Sequence, residues 1–525
     1  MTGTIGLLRF MLRRERRSLP WWLLGVTLLM LVQSTQSQSL YDTADDLARL
    51  RETIGGNTAV VALSGPTRLL ETIGGEVVFE IFGFLAIVVG LMNMFLVGRQ
   101  TRADEEAGRA ELIRSARVGR RAPLAAAIAS AAVADVAAGA LVAAVAIGTG
   151  LPAGGSVLLG AAVAATGLTF AALTAVAAQF FESTRAVYGS VGFALGAAYA
   201  LRAAGDAGDG TLSWLSPIGW GQRTYPYVDD RWWPLLLPLA ATALLVATAV
   251  VLLERRDFGA GLVAARPGRP AASRALGNAY GLAWRLQRSA LIGWVAGLAL
   301  LGAAYGSIGN SIEQYVADNP EIAEFLPGGA AGIVDAYLSL TVSLSALIAS
   351  AYGVTSVLRV RAEELSGRAE SVLATRTSRL TWLAGHLSVA LAGTAVVLLA
   401  IGLGEGAAYA VTVSDPGQVP RVIGVALTYL PAVWLIVGVA VLAVGWLPRV
   451  AAALAWAAVG YCAVVQLFAD SFGLPGWAQR ASPFAHTPAV PTEAFTVTPI
   501  IVLGLVAIVG LAGGYSGLRR RDLGY

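Results

Sequence analysis

The side chains best placed to do chemistry in this chain are acids and arginines set in two matching segments, Arg102-Ala-Asp-Glu-Glu-Ala-Gly-Arg-Ala-Glu111 and Arg361-Ala-Glu-Glu-Leu-Ser-Gly-Arg-Ala-Glu370. Residues of these types make ion pairs and docking surfaces more readily than a catalytic centre. Asp104, Glu105 and Glu106 fall in the first turn of a predicted short helix, where the positive end of the helix dipole favours anions, and Arg114 and Arg117 fall toward its other end. Glu105 with Arg109, and Glu364 with Arg368, form i,i+4 pairs with the acid first, each contributing about 0.2–0.5 kcal/mol. The two segments lie 259 residues apart, and at that offset Arg117 matches Arg376 and Arg120 matches Arg379. A loop that serves only orientation needs arginines. Acids at Glu363 and Glu370 and glycines at Gly108 and Gly367, matched to those of the first segment, specify a surface instead, and that surface is read as one for protein docking.

Catalysis is not expected. All 37 basic residues are arginine, with no lysine, so neither a phosphate-binding loop of the G-x-x-x-x-G-K-[ST] type nor a lysine Schiff base can form. One cysteine, Cys462, and two histidines, His386 and His486, give no disulfide within the chain and no plausible zinc site. No cofactor is assigned to this chain, and any ATP and magnesium must be held by another polypeptide.

The elements that carry the two segments follow from composition. Of 525 residues, 56% are hydrophobic and 13% charged, about half the charged fraction usual for soluble domains. The apolar residues come in blocks long enough to cross a bilayer, beginning near Trp21, Val77, Ala122, Ser156, Ala186, Trp233, Ala290, Asp335, Leu380, Val422, Val450 and Thr498. The expected fold is an all-α polytopic membrane protein with 12 transmembrane helices. Cytoplasmic loops retain basic residues. With both termini inside, 29 of the 37 arginines lie inside, and the predicted outer loop around Glu313, Asp318, Glu321 and Glu324 has none. The net charge of +4 is the sum of opposed surfaces and does not point to nucleic acid. Arg9 to Arg17 precede a full-length apolar span, so insertion by that first span is expected, not cleavage of a leader.

Beyond the acidic segments, Ser216-Pro217 recurs as Ser482-Pro483, and Arg255-Arg256-Asp257-Phe258-Gly259 as Arg520-Arg521-Asp522-Leu523-Gly524. The chain therefore reads as two parallel six-helix repeats, residues 1–265 and 275–525, joined by a cytoplasmic linker at 266–274. Few polar groups enter the spans. Glu80, Asn93, Asp135, Gln179, His386 and Gln466 do so, and an ionisable group at that depth is a functional candidate by default. Glu80, Asn93 and Asp135 are candidates for a substrate path, with an interhelical hydrogen bond as the plainer role for Asp135. None of them is repeated in the second half. The aromatic group of Trp214, Trp220, Tyr225, Tyr227, Trp232 and Trp233 reads either as an interfacial belt or, at Trp220 and Tyr225, as a hold for an amphiphilic substrate.

Paired acids, a glycine, a further glutamate and a downstream arginine leading into a membrane helix resemble the cytoplasmic loop of ABC-2-type permeases, the membrane subunits of ATP-driven exporters. The segments Leu215-Ser-Pro-Ile-Gly-Trp220, Tyr225-Pro-Tyr227, Asp230-Arg-Trp-Trp-Pro234 and the terminal Arg-Arg-Asp-Leu resemble more narrowly the fused two-unit permeases that export polyketide antibiotics such as tetronasin. The second half departs from this pattern, with His486 in place of Trp220 and no Trp-Trp stretch. The resemblance implies that Asp104, Glu105, Glu106, Gly108, Arg109 and Glu111, with Glu363, Glu364, Gly367, Arg368 and Glu370, couple to two copies of a separate ATPase. It also implies that Arg9 to Arg17 form an amphipathic helix on the inner membrane surface, and that cargo is hydrophobic or amphipathic. The alanine and glycine excess and the lack of lysine point to a bacterial cytoplasmic membrane. A major-facilitator secondary transporter, which also has two parallel six-span halves, is the alternative; a lipid-modifying membrane enzyme would need catalytic residues that are not evident.

Overall fold

Chain immersed in lipid must satisfy its backbone polar groups internally, and among the described residues every regular element is helical. The computed structural model describes residues 2–41, 43–55, 58–263, 270–318, 329–469 and 474–522. It divides into two units, Met1–Gly268 and Arg269–Tyr525. Positions 266–269 of the predicted linker, the outer-loop acids Glu321 and Glu324, and Leu523-Gly524 of the terminal repeat lie outside the described residues.

The first unit opens with α1 (Thr4–Glu15), which meets α2 (Leu19–Leu40) at a bend of 66°. Pro20 lacks an N–H and suits the first turn of the new helix, where none is needed. Glu15, buried at the bend, accepts from Arg99 Nη2 at 2.6 Å and from Ser18 Oγ at 2.6 Å, which ties the bend to the end of α3 (Ile73–Gln100). After α3 come two short helices, α4 (Arg102–Glu106) and α5 (Arg109–Arg114), then α6 (Ala122–Gly148), α7 (Ala153–Phe180), α8 (Thr184–Ala207) and α9 (Leu236–Arg255). α3 and α7 form the buried centre, whereas α9 turns most of its surface outward. Lipid removes the hydrophobic drive between helices, so close backbone approach through small residues replaces it. At the α6–α7 crossing a Cβ on Gly139 would lie 2.4 Å from the Gly160 carbonyl oxygen, and one on Gly160 would lie 2.3 Å from that of Gly139.

The second unit contains α10 (Ala279–Asp318), α11 (Gly329–Leu365), α12 (Arg368–Leu373), α13 (Arg379–Val413), α14 (Gln418–Thr428), α15 (Leu430–Trp446), α16 (Ala451–Phe468) and α17 (Val497–Arg520). Its largest helix pair is α10 with α13, where a Cβ on Gly404 would meet the Ala299 carbonyl oxygen at 2.1 Å.

Helices stand at all twelve predicted positions, but fewer qualify as crossings. Nine among the described residues are long and apolar enough to span a bilayer, and the bent α1–α2 pair makes a tenth. Two fall short for different reasons. α8 carries Arg185, Arg202 and Asp206, which interrupt its apolar run. α16 has 18 residues, about 27 Å at 1.5 Å per residue, against roughly 30 Å of hydrocarbon.

The glycine crossing yields a direct expectation. Gly160→Leu forces two backbones apart and lowers the thermal unfolding midpoint of the detergent-solubilised chain by several degrees, whereas Gly148→Ala, with open space around the added Cβ, leaves the midpoint within about a degree of the parent.

Candidate functional site

In the first unit the acidic segment folds as an elbow. Thr101 leaves helical geometry after α3, α4 makes a single turn, and Gly108 then adopts φ 71° before α5 begins. That left-handed backbone favours glycine; nothing lies within 4 Å of a Cβ added there, so conformation and not crowding selects the residue. The turn reverses the expected pairing. Arg109 does not reach Glu105 across an i,i+4 step; its Nε donates to Asp104 Oδ1 at 2.9 Å. Asp104, 2% exposed, also accepts from Arg14 Nη1 of α1 at 2.7 Å.

Glu105 faces inward, not toward a partner. It accepts from Arg102 Nη1 at 2.9 Å, and both its oxygens accept from Arg256, at 2.5 and 2.9 Å. Arg102 is 1% exposed; it donates twice to the Ala178 carbonyl oxygen at the end of α7, and to those of Gly259 and Ala260. Arg256 Nε donates to Gln179 Oε1 at 2.7 Å. One carboxylate thus gathers the ends of α3, α7 and α9. Glu106 accepts from the Thr184 N–H and Oγ1 at 2.9 and 2.6 Å, holding the start of α8. Arg120 Nη2 donates to the Leu253 and Arg256 carbonyl oxygens at 3.0 and 2.9 Å.

The second unit repeats this chemistry in its own helices. α11 runs through to Leu365, Gly367 takes φ 71°, and α12 follows. Glu364 accepts from Arg361 Nη1 at 2.9 Å and from Arg521 Nη2 at 2.5 Å. Arg368 Nε donates to Glu363 Oε2 at 3.0 Å, so the expected pair of Glu364 with Arg368 is replaced there too. Arg379 Nη1 donates to the Arg521 carbonyl oxygen at 2.9 Å. Two recurrences that look separate in the sequence, the acidic segments and the Arg-Arg-Asp segments, are therefore the two halves of one clamp in each unit. The residues left facing outward are Arg109, Glu111 and Leu112 (76% exposed) in the first unit, and Leu365 (72%), Arg368 and Glu370 in the second.

The path candidates separate. Asp135 on α6 is fully buried and accepts from Asn93 Nδ2 on α3 at 2.7 Å. A Cβ on Gly167 of α7 would lie 2.2 Å from Asp135 Oδ1, so this pair is sealed in a three-helix junction and plays the interhelical role. Glu80 is half-buried, one turn after the buried Glu76. Tyr225 is buried at φ 46°, with Arg68 and Arg231 over its ring, each 5.4 Å from the centroid. Trp220 Nε1 donates to the Trp214 carbonyl oxygen at 2.5 Å, and Trp214 stacks on Trp233. Tyr227, its hydroxyl pushed up to about 12 by burial, donates to Ser156 Oγ at 2.9 Å. These aromatics brace the outer segment against α7.

Besides Glu15 at the α1–α2 bend, sequence reasoning passes over two buried carboxylates. Glu76 sits near the start of α3, and Glu405 of α13 accepts from Thr341 Oγ1 of α11 at 2.5 Å. Glu405 was findable from its setting, Gly402-Leu-Gly404-Glu-Gly406, a small-residue face that marks close helix packing. Among the described residues no three His, Cys, Asp or Glu side chains converge on a metal position.

The clamp predicts unequal effects within one segment. Glu105→Ala or Glu364→Ala leaves largely buried guanidinium groups uncompensated and costs about 3–5 kcal/mol of stability, while Arg109→Ala removes an exposed guanidinium from Asp104, which keeps Arg14, and costs about 0–1 kcal/mol. Chemical or thermal unfolding of the purified variants measures the difference.

A family model described as "Multidrug efflux system permease Rv1217c, C-terminal domain" matches residues 5–253 and 276–519. The multidrug efflux system permease protein Rv1217c of Mycobacterium tuberculosis (strain ATCC 25618 / H37Rv) is 40% identical over 527 residues, which cover 99% of this chain and 95% of that protein. Neither similarity lends support to the major-facilitator alternative. With a family match across both units and a full-length relative, this apolar helical chain belongs to the multidrug efflux permease family of which Rv1217c is a member.

Proposed function

We propose that this chain is the membrane subunit of an ATP-driven exporter of the ABC-2 type, carrying hydrophobic or amphipathic compounds such as drugs or polyketide antibiotics out of a bacterial cell. In this reading twelve crossings form two parallel units in the cytoplasmic membrane, with both termini inside. Two copies of a separate ATPase, which hold ATP and magnesium, dock on the two elbows. The observation that carries the reading is the recurrence of one clamp, Glu105 with Arg102 and Arg256, then Glu364 with Arg361 and Arg521.

A rigid clamp suits force transfer. A push on α5 acts through the Gly108 turn on Glu105, which holds the ends of α3, α7 and α9 together, so three spans move as a group. In the second unit Glu364 ties the end of α11 to the end of α17. ATP binding closes the partner subunits, displaces the elbows and shifts cargo outward, possession of the phosphate-binding loop resting wholly with the partner. The multidrug name of the relative supports broad apolar cargo over a single ligand. Glu80, Trp220 and Tyr225 remain the path candidates, with Asn93 and Asp135 as a structural pair.

The docking surface in this proposal is the outward face, not the buried acids. Purified chain mixed with the ATPase encoded beside it forms a complex with two ATPases per chain. Leu112→Asp reduces this to one, and Leu112→Asp with Leu365→Asp weakens binding roughly tenfold or more, the loss expected of a central apolar contact, while the unfolding midpoint stays unchanged. Full binding by the double variant, or dye export from proteoliposomes driven by a proton gradient without ATP, overturns the proposal.

A further inference from the structure

We propose that the first unit holds one anionic phospholipid in a cavity beneath its elbow. The cavity measures about 550 Å³, within the roughly 300–1,000 Å³ of small-ligand sites. It lies where α6 begins and α9 ends, at the level of the span termini, which is the depth of lipid head groups when these helices cross a bilayer. Its walls are divided. Met11, Leu124 and Leu253 line it with apolar surface, and Arg114 and Arg120 supply cationic edges.

The charges at this site are not all neutralised within the protein. Asp104 is matched by Arg14 and Arg109, and Arg256 by Glu105. Arg114 makes no ion pair among the described residues; its guanidinium lies over the Phe258 ring, 4.3 Å from the centroid. Arg120 bonds only carbonyl oxygens, which orient it without cancelling its charge. Asp257, also at the cavity, is the one lining acid without an ion pair among the described residues. Asp104 and Glu105 each already meet two arginines, and Arg114 and Arg120 outnumber Asp257 among the other charged groups of the wall, so the surroundings of the cavity are cationic and complement a phosphodiester. An acyl chain along Leu124 and Leu253 and a phosphate at Arg114 satisfy both walls at once, as basic pockets beside membrane helices do for anionic lipids.

The second unit shows that the docking frame does not require this cavity. At the 259-residue offset Leu373 stands for Arg114 and Trp382 for Pro123. Trp382 is 2% exposed, and of the two cavity cations the second unit keeps a counterpart of Arg120, in Arg379, and lacks one of Arg114. The combination of Arg114 and Pro123 is thus particular to the first unit, and lipid binding there is independent of whether a nucleotide-driven partner docks outside it.

The test uses the full chain in mild detergent, with native mass spectrometry after addition of dioleoyl phosphatidylglycerol or dioleoyl phosphatidylcholine. One phosphatidylglycerol per chain is retained in preference to phosphatidylcholine. Arg114→Leu lowers that retention about fivefold, the effect of one arginine at an anionic surface. Pro123→Trp abolishes it. Equal retention of both lipids, unchanged retention in Arg114→Leu, or displacement of the lipid by millimolar inorganic phosphate overturns the inference. Should Pro123→Trp fail to fold, Arg114→Leu decides alone, since its side chain is exposed and its replacement is the residue the second unit already carries.

Discussion

A carboxylate held between two arginines, with all three groups largely withdrawn from solvent, is the constraint on which each unit depends. Burying one charge is expensive and burying three is worse unless every group is bonded, and the first unit meets that condition: Arg102 and Arg256 direct their donors to Glu105 and to carbonyl oxygens at the ends of neighbouring helices. The Ala178 carbonyl is one that a helix C-terminus leaves without an intrahelical partner, that of Ala260 lies in the turn after α9, and arginine near a C-terminus also meets the favourable end of the dipole. The clamp therefore solves two problems together. It caps the end of α7, and it ties the ends of α3, α7 and α9 to one another.

Much of this was legible in composition and recurrence. Apolar runs placed a helix at every predicted position, because backbone in lipid has few other options. The matched acids and the Arg-Arg-Asp segments were visible too. Their union was not, since Glu105 and Arg256 are 151 residues apart, although a signal existed: both partners recur, at Glu364 and Arg521. The local pairing was misjudged for a specific reason. An i,i+4 rule assumes unbroken helix, and the left-handed backbone at Gly108 and Gly367 ends the helix between the two residues that the rule joins. The burial of Asp104, Glu105, Glu363 and Glu364 was not legible either, because solvated charge is the ordinary fate of a charged loop and burial is recognisable only once the opposing arginines are placed; Glu106, Glu111 and Glu370 are exposed.

Within the spans, polar groups are joined across helices in both units, but by different residues. The first unit uses Asn93 with Asp135, the second Thr341 with Glu405 and Gln287 with His386 and Ser356. Glycines pack against an acid of two of these pairs, Gly167 at Asp135 in the first unit and Gly302 and Gly306 of α10 at the backbone of Glu405 in the second. Number and depth of such groups were harder to read than their existence. Glu405 lies far along a helix of 35 residues, so a span counted from Leu380 places it beyond the hydrocarbon, and the helix that continues past it brings it back against α11.

Conservation of the clamp beside divergence of what surrounds it separates two kinds of work. Arg102, Glu105, Gly108 and Arg256 have counterparts in Arg361, Glu364, Gly367 and Arg521, and in each unit the carboxylate accepts from both arginines, while the further bonds of Arg102 and Arg256 to carbonyl oxygens and Gln179 belong to the first unit. The outward charges Arg109 and Glu111 match Arg368 and Glu370, but the outward apolar residues do not correspond: Leu112 aligns with Ser371, and Leu365 with Glu106. If two identical ATPases dock, as proposed, each must meet an apolar side chain at a different point of an otherwise equal frame. A frame kept constant by buried ion pairs transmits the same displacement whichever contact delivers it, so the outer face is free to vary without altering the stroke. The spans that carry cargo can then differ between units while both are driven by one kind of partner.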